Sequence, residues 1–97
     1  MDPDTLQVAT RVEHGDVLLA VRGYLDDAGG ERLVQQTRKA ARSGHACVRI
    51  DLEAVVLFNC AGARRLVAVL DDINRRGLRV ELVGARPPLQ RALELVA

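Results

Sequence analysis

The stretch Ile50-Asp51-Leu52-Glu53, followed by Val55-Val56-Leu57 and then Phe58-Asn59-Cys60-Ala61-Gly62, decides the fold of this chain. Ala46 to Glu53 alternates apolar and polar residues, and this period of two indicates a strand with one buried face. Val55 to Leu57 predicts a tight apolar loop, which Phe58 closes from the core. The segment that follows predicts the first turn of a helix.

The helix after this loop runs from about Cys60 to Arg76, and Gly77 ends it. Its apolar residues recur at the i, i+3, i+4 and i+7 spacing of one buried helix face. The residues of that face are Ala63, Leu66, Val67, Val69, Leu70 and Ile73.

The N-terminal part predicts a β-hairpin and a helix. Leu6 to Glu13 alternates, with Leu6, Val8 and Val12 on one face, and Val17 to Arg22 is a second strand beyond the turn at His14–Asp16. The segment 23–27 breaks this strand, and either Asp26 or Asp27 can cap the following helix. That helix extends to about Ser43 with Leu33, Thr37, Ala40 and Ala41 inward, although Gly29 and Gly30 weaken its first turn by about 1 kcal/mol each relative to Ala.

The C-terminal part predicts one more strand and one more helix. Residues 78–83 alternate, and Pro87 and Pro88 suit the first turn of a helix with Leu89, Leu93 and Val96 inward. The order is therefore ββαβαβα. Because two strands keep a polar face, we expect an α/β fold with a four-stranded mixed sheet and helices mainly on one face.

Composition narrows the classes of function. Ninety-seven residues form one domain, 1–97, and the net charge of +1 with only two aromatic residues, Tyr24 and Phe58, argues against nucleic-acid binding. No apolar run is long enough to span a membrane, and the acidic N-terminus does not resemble a signal peptide, so we expect a cytoplasmic chain without direct membrane insertion. Cys47, Cys60 and the two histidines show no metal-ligand spacing. We expect no cofactor, no catalytic residue and no enzymatic activity.

Three local matches, in this order, resemble the STAS domain family of bacterial anti-sigma factor antagonists. They are Gly23-x-Leu25-Asp26 after the second strand, Ile50-Asp51-Leu52 before the switch loop, and Gly77-Leu78-Arg79-Val80 followed by Pro87 or Pro88. The resemblance covers essentially the whole chain and implies the STAS fold.

In that family the switch reads Asp-Ser-Ser-Gly, and a partner kinase phosphorylates the first Ser. Here Asn59, Cys60 and Ala61 stand at the first three positions and only Gly62 is kept. Ser43 is the only serine in the chain, and Thr5, Thr10 and Thr37 lie away from the switch. The resemblance therefore implies a domain that the usual serine phosphorylation does not turn off.

Cys60 admits two interpretations. A thiol at a helix N-terminus beside Arg64 and Arg65 can gain reactivity, so oxidation could replace phosphorylation as the switch. The simpler interpretation is that Cys is a small stand-in for Ser, and we favour it.

The resemblance implies a partner-binding surface made of Tyr24, Asp26, Asn59, Cys60, Ala61, Gly62, Arg64 and Arg65. Its partner would be an anti-sigma factor of the serine-kinase type. The alternative is a STAS subunit that binds the permease or ATPase of a lipid-transport ABC complex, and a thiol-based redox sensor is a weaker alternative. A homodimer formed through exposed sheet edges stays open.

Overall fold

The computed structural model describes residues 5–44, 47–57 and 60–96, with seven elements in the order ββαβαβα. The sheet has the strand order β1-β2-β3-β4; β1 is antiparallel to β2, and the other neighbours are parallel. This confirms the predicted fold class. The elements are β1 (Gln7–Glu13), β2 (Asp16–Leu25), α1 (Asp27–Ala41), β3 (Cys47–Leu57), α2 (Cys60–Arg75), β4 (Arg79–Val83) and α3 (Pro87–Val96).

The two faces of the sheet differ as the alternation predicts. Val48, Ile50 and Leu52 of β3 are buried beneath the helices together with alternate residues of β2. On the opposite face Arg49 forms ion pairs with Asp16 of β2 at 3.6 Å and with Glu81 of β4 at 3.2 Å. The polar face therefore carries a row of compensating charges across three strands.

Both central strands are longer than predicted. β2 continues to Leu25 rather than breaking at Gly23, and β3 continues to Leu57, so the predicted apolar loop from Val55 is wrong. Gly23 stays within the strand at φ +107°, and a Cβ there would lie 2.7 Å from the Thr5 carbonyl oxygen. Backbone crowding by the N-terminal segment, rather than a strand end, explains this glycine.

An irregularity in the pairing of β2 with β3 changes which residues face the core. Ala20 pairs with Asp51 but Arg22 pairs with Ala54, so β3 holds one extra residue at this point. Such a bulge shifts the alternation. Val55 is consequently buried, whereas Val56 is 51% exposed. Phe58, predicted to lie in the core, is outside the described residues.

The edge strand β1 is covered less than its alternation predicts. Val8 and Val12 pair with Val21 and Val17 of β2, so the expected face is correct. Val8 is half-buried, but Val12 is 57% exposed. The turn to β2 places His14 and Gly15 at positive φ, which is typical of a tight hairpin.

The helices begin and end within two residues of their predicted bounds. The predicted inward residues are buried or half-buried wherever their side chains are described, and Val34 and Ala92 add to the core. The side chain of Val96 is outside the description. Buried Thr37 donates a hydrogen bond from Oγ1 to the Leu33 carbonyl at 2.8 Å, which satisfies its hydroxyl within α1.

Candidate partner-binding surface

Of the residues predicted to bind a partner, those that the structure describes lie at one end of the molecule, where β2 and β3 end and α1 and α2 begin. The pairing of β2 with β3 brings Tyr24 beside Val56 and Leu25 beside Leu57. The carboxyl ends of parallel strands are where α/β folds commonly bind ligands. We call this end the switch end, and its exposed part is the candidate surface.

The backbones of α1 and α2 touch at the switch end through Gly30 and Gly62. A Cβ on Gly30 would lie 2.8 Å from the Gly62 Cα atom. A Cβ on Gly62 would lie 2.7 Å from the Asp26 carbonyl oxygen and 2.8 Å from Leu25 Cγ. Gly62 is therefore a packing residue, buried within the predicted surface rather than presented on it.

Asp26 is held as the N-cap of α1. Its Oδ1 atom accepts a hydrogen bond from the Gly29 N–H at 2.6 Å, and its carbonyl oxygen accepts one from the Gly30 N–H at 2.8 Å. Of the two candidate caps, the structure thus assigns the role to Asp26. Its carboxylate serves the backbone of its own helix, so it contributes to the surface chiefly by fixing where α1 starts.

Arg65 of α2 joins the two helices. Its Nε atom lies 2.7 Å from Asp27 Oδ1, and its Nη1 atom lies 2.5 Å from Glu31 Oε2. The hydrogen bond and charge of Asp27, with the charge of Glu31, raise the pKa of the Arg65 guanidinium above its ordinary value. The adjacent Arg64 is exposed and has no ion pair or side-chain hydrogen bond within the described part of the chain. The two neighbouring arginines therefore differ: Arg65 is engaged inside the domain and Arg64 is available.

Two apolar side chains also lie at this end of the sheet. Val56 is exposed, and Tyr24 beside it on β2 is half-buried. At the start of α2, Cys60 is exposed and Ala61 is half-buried. The alternation alone missed Val56, because the bulge in β3 that turns it outward leaves no clear sequence signal. Asn59 lies outside the described residues.

The two cysteines differ in access. Cys60 is exposed, Cys47 is 6% exposed on β3, and both are free thiols. Within the described ranges no cluster of three His, Cys, Asp or Glu side chains could hold a metal ion. None of the helices described here is long and apolar enough to cross a membrane.

Several solved structures are similar to this chain. The anti-sigma factor antagonist from Mycobacterium paratuberculosis is 22% identical with a TM-score of 0.78, over 97% of this chain and 80% of that one. The Bacillus cell fate determinant SpoIIAA in its phosphorylated form is 15% identical with a TM-score of 0.70, over 94% of this chain and 82% of that one. Mglu is 21% identical with a TM-score of 0.72 over 81% of this chain, which spans only 20% of Mglu.

Identities this low show a shared fold alone, and comparison with curated protein sequences gave no match. The family model described as STAS domain matches residues 7–97, which is nearly the whole chain. This protein belongs to the STAS domain family.

Proposed function

We propose that this chain is a single STAS domain, 1–97, that acts in the cytoplasm as an anti-sigma factor antagonist-like module and binds an anti-sigma factor of the serine-kinase type. The observation that carries the proposal is that Cys60 is exposed at the start of α2; the resemblance assigns this residue to the position of the family's phosphorylated serine. Similar proteins of this fold include an anti-sigma factor antagonist and a phosphorylated SpoIIAA. In this proposal the domain acts by binding, and the Asp26 carboxylate serves as a helix cap.

The contacts divide the predicted surface into two sets. We infer that Tyr24, Cys60 and Arg64 contact the partner, together with Val56, which is exposed although it was not predicted. Asp26, Gly62 and Arg65 instead hold the two helix starts in place. A partner that offers both an apolar contact and a carboxylate fits this surface, with Arg64 pairing the carboxylate.

The switch chemistry follows from the residue at position 60. A phosphate at a helix N-terminus is stabilised by free N–H groups, and it adds about two negative charges to the surface. Because Cys60 lacks a hydroxyl, binding continues in the presence of a kinase and ATP. The domain is then a constitutive binder of its partner.

The first test is a pull-down from host lysate with an N-terminal tag, followed by mass spectrometry. Recovery of a kinase-type anti-sigma factor, and binding by the purified pair, supports the proposal. Recovery of an ABC permease or ATPase instead overturns it in favour of the transport alternative.

Variants of the purified chain then test the surface. Arg64→Ala is expected to weaken binding about tenfold, since a charge-assisted contact is lost. Arg91→Ala removes the same charge from an exposed position on α3 and is expected to leave affinity unchanged. Equal affinity for both variants would refute the assignment of Arg64.

Phosphorylation is the second readout. After incubation with the kinase and ATP, we expect no phosphate in residues 54–66, whereas Cys60→Ser is expected to accept one. Phosphate within 54–66 of the natural chain would contradict constitutive binding.

A further inference from the structure

A cavity lies at the end of the molecule opposite the switch end, between the C-terminal ends of α1 and α2. Its volume is about 530 Å³, within the range of small-molecule sites. The residues that line it are Arg38, Ala41, Arg42, Gly44, Asp72, Ile73, Arg76, Gly77 and Leu78. None of these belongs to the candidate surface.

Positive charge converges on this cavity from two helices. Arg38 lies in the last turn of α1, Arg42 is the C-cap of that helix, and Arg76 directly follows the end of α2. The single carboxylate facing them is that of Asp72, which lies 3.4 Å from Arg76. Arg38 and Arg42 form no ion pair or side-chain hydrogen bond within the described ranges. They stand four residues apart on one helix face, where like charges repel each other. A bound anion would relieve this repulsion.

The arginines are not needed to cap the helix ends. At the end of α1, the Ala40 carbonyl accepts from both the N–H and the hydroxyl of Ser43, at 3.1 and 2.6 Å. At the end of α2, the carbonyls of Ile73 and Asn74 accept from the N–H groups of Arg76 and Gly77. Backbone donors and one serine thus satisfy these carbonyls, so the guanidinium groups remain available to a ligand.

The net positive charge of the cavity limits how much negative charge a ligand can carry. Each helix C-terminus contributes roughly half a negative charge, which offsets part of the excess of arginine over aspartate. The cavity is therefore only modestly positive, which favours one phosphate group over a polyanion. Ala41, Ile73 and Leu78 add apolar surface beside the arginines, and an arginine fork matches phosphate geometry.

We propose that this cavity binds a phosphate monoester of a small apolar organic molecule, with Arg38 and Arg42 holding the phosphate. The cavity is separate from the switch end, so this proposal does not depend on the proposed binding of an anti-sigma factor.

Phenyl phosphate and inorganic phosphate are the probes, titrated separately into the ¹⁵N-labelled full chain and followed by NMR. Phenyl phosphate is expected to shift amides of residues 38–44 and 72–78 at millimolar concentration and to bind about tenfold more tightly than inorganic phosphate, because the apolar wall adds contact. Shifts spread over the whole surface, or confined to the switch end, would overturn the proposal. So would equal affinity for the two probes.

Substitutions distinguish specific binding by the arginines of the cavity from general electrostatic attraction to the protein surface. Arg38→Ala and Arg42→Ala are each expected to weaken phenyl phosphate binding about tenfold, whereas Arg91→Ala, with the same change in net charge, is expected to leave it unchanged. Arg42→Lys keeps the charge but loses the fork, and it is expected to give an intermediate loss. Thermal melts without ligand confirm that each variant is folded. Equal weakening by Arg91→Ala would refute the site.

Discussion

Replacing Gly62 by alanine tests the closest contact of the switch end. The new methyl group would lie 2.7 Å from the Asp26 carbonyl oxygen and 2.8 Å from Leu25 Cγ, distances at which the neighbouring atoms must move. The Asp26 carbonyl also accepts the hydrogen bond from the Gly30 N–H that begins α1. A shift of this carbonyl would therefore disturb the start of both helices.

Two opposing terms determine the expected stability of Gly62→Ala. Alanine favours a helix over glycine by about 1 kcal/mol. Forcing a methyl group into a closely packed contact costs about 1–3 kcal/mol, and here the obstacle includes backbone, which cannot rotate away. The difference between the two terms is about 0–2 kcal/mol. Because backbone atoms form part of the obstacle, we expect the upper half of this range, a net loss of about 1–2 kcal/mol in the free energy of unfolding. For a domain of this size that corresponds to a fall in Tm of about 5–15 °C.

Thermal and urea unfolding, followed by circular dichroism, measure this loss. Ala68→Gly is the matched control, because Ala68 is exposed in the middle of α2 and its replacement should cost only the helix propensity of about 1 kcal/mol. If propensity alone governed position 62, Gly62→Ala would stabilise the protein by about the amount that Ala68→Gly destabilises it. A rise in Tm for Gly62→Ala would refute the described contact between the helix backbones.

Three further predictions concern other groups at this end and the buried thiol. Asp26→Ala is expected to lower the free energy of unfolding by about 1 kcal/mol through loss of the N-cap, and an equal loss for Asp27→Ala in high salt would contradict the assignment of the cap. One thiol per native chain is expected to react rapidly with an alkylating reagent, since Cys60 is exposed and Cys47 is buried; rapid labelling of Cys60→Ser would show that Cys47 is accessible. Arg65→Ala is expected to lower Tm more at low ionic strength than at about 1 M salt, because salt weakens ion pairs between exposed side chains, and a salt-independent decrease would argue against an electrostatic role.

Much of the fold follows from local patterns. The alternation of Val48, Ile50 and Leu52 and the spacing of Leu66, Val69 and Ile73 both report which face of an element is buried. The buried face of a helix or strand can be predicted from residues only a few positions apart. This suffices to predict the order of the elements and the packing of helices on one face of the sheet. The resemblance to STAS domains then named candidate site residues, and those that the structure describes lie at one end of the molecule.

The details of the site depend on residues far apart in the chain. In the sequence, Gly30 only weakens the predicted helix. In the structure, its close contact with Gly62 explains why a residue without a side chain stands there. Arg64 and Arg65 look equivalent, yet only Arg65 meets Asp27, 38 residues before it. Val56 is turned outward by a bulge that arises from strand pairing rather than from a local signal. Local periodicity contains none of these relations.

The contact between Gly30 and Gly62 also limits how a signal can pass through this domain. Side chains between two helices can change rotamer and let one helix shift independently, but two backbones in contact can move only together. Arg65 ties the same two helices on the outside. We therefore expect the two helix starts to move as one unit. A change in partner binding would then come from chemical modification of the exposed surface rather than from a shift of one helix against the other.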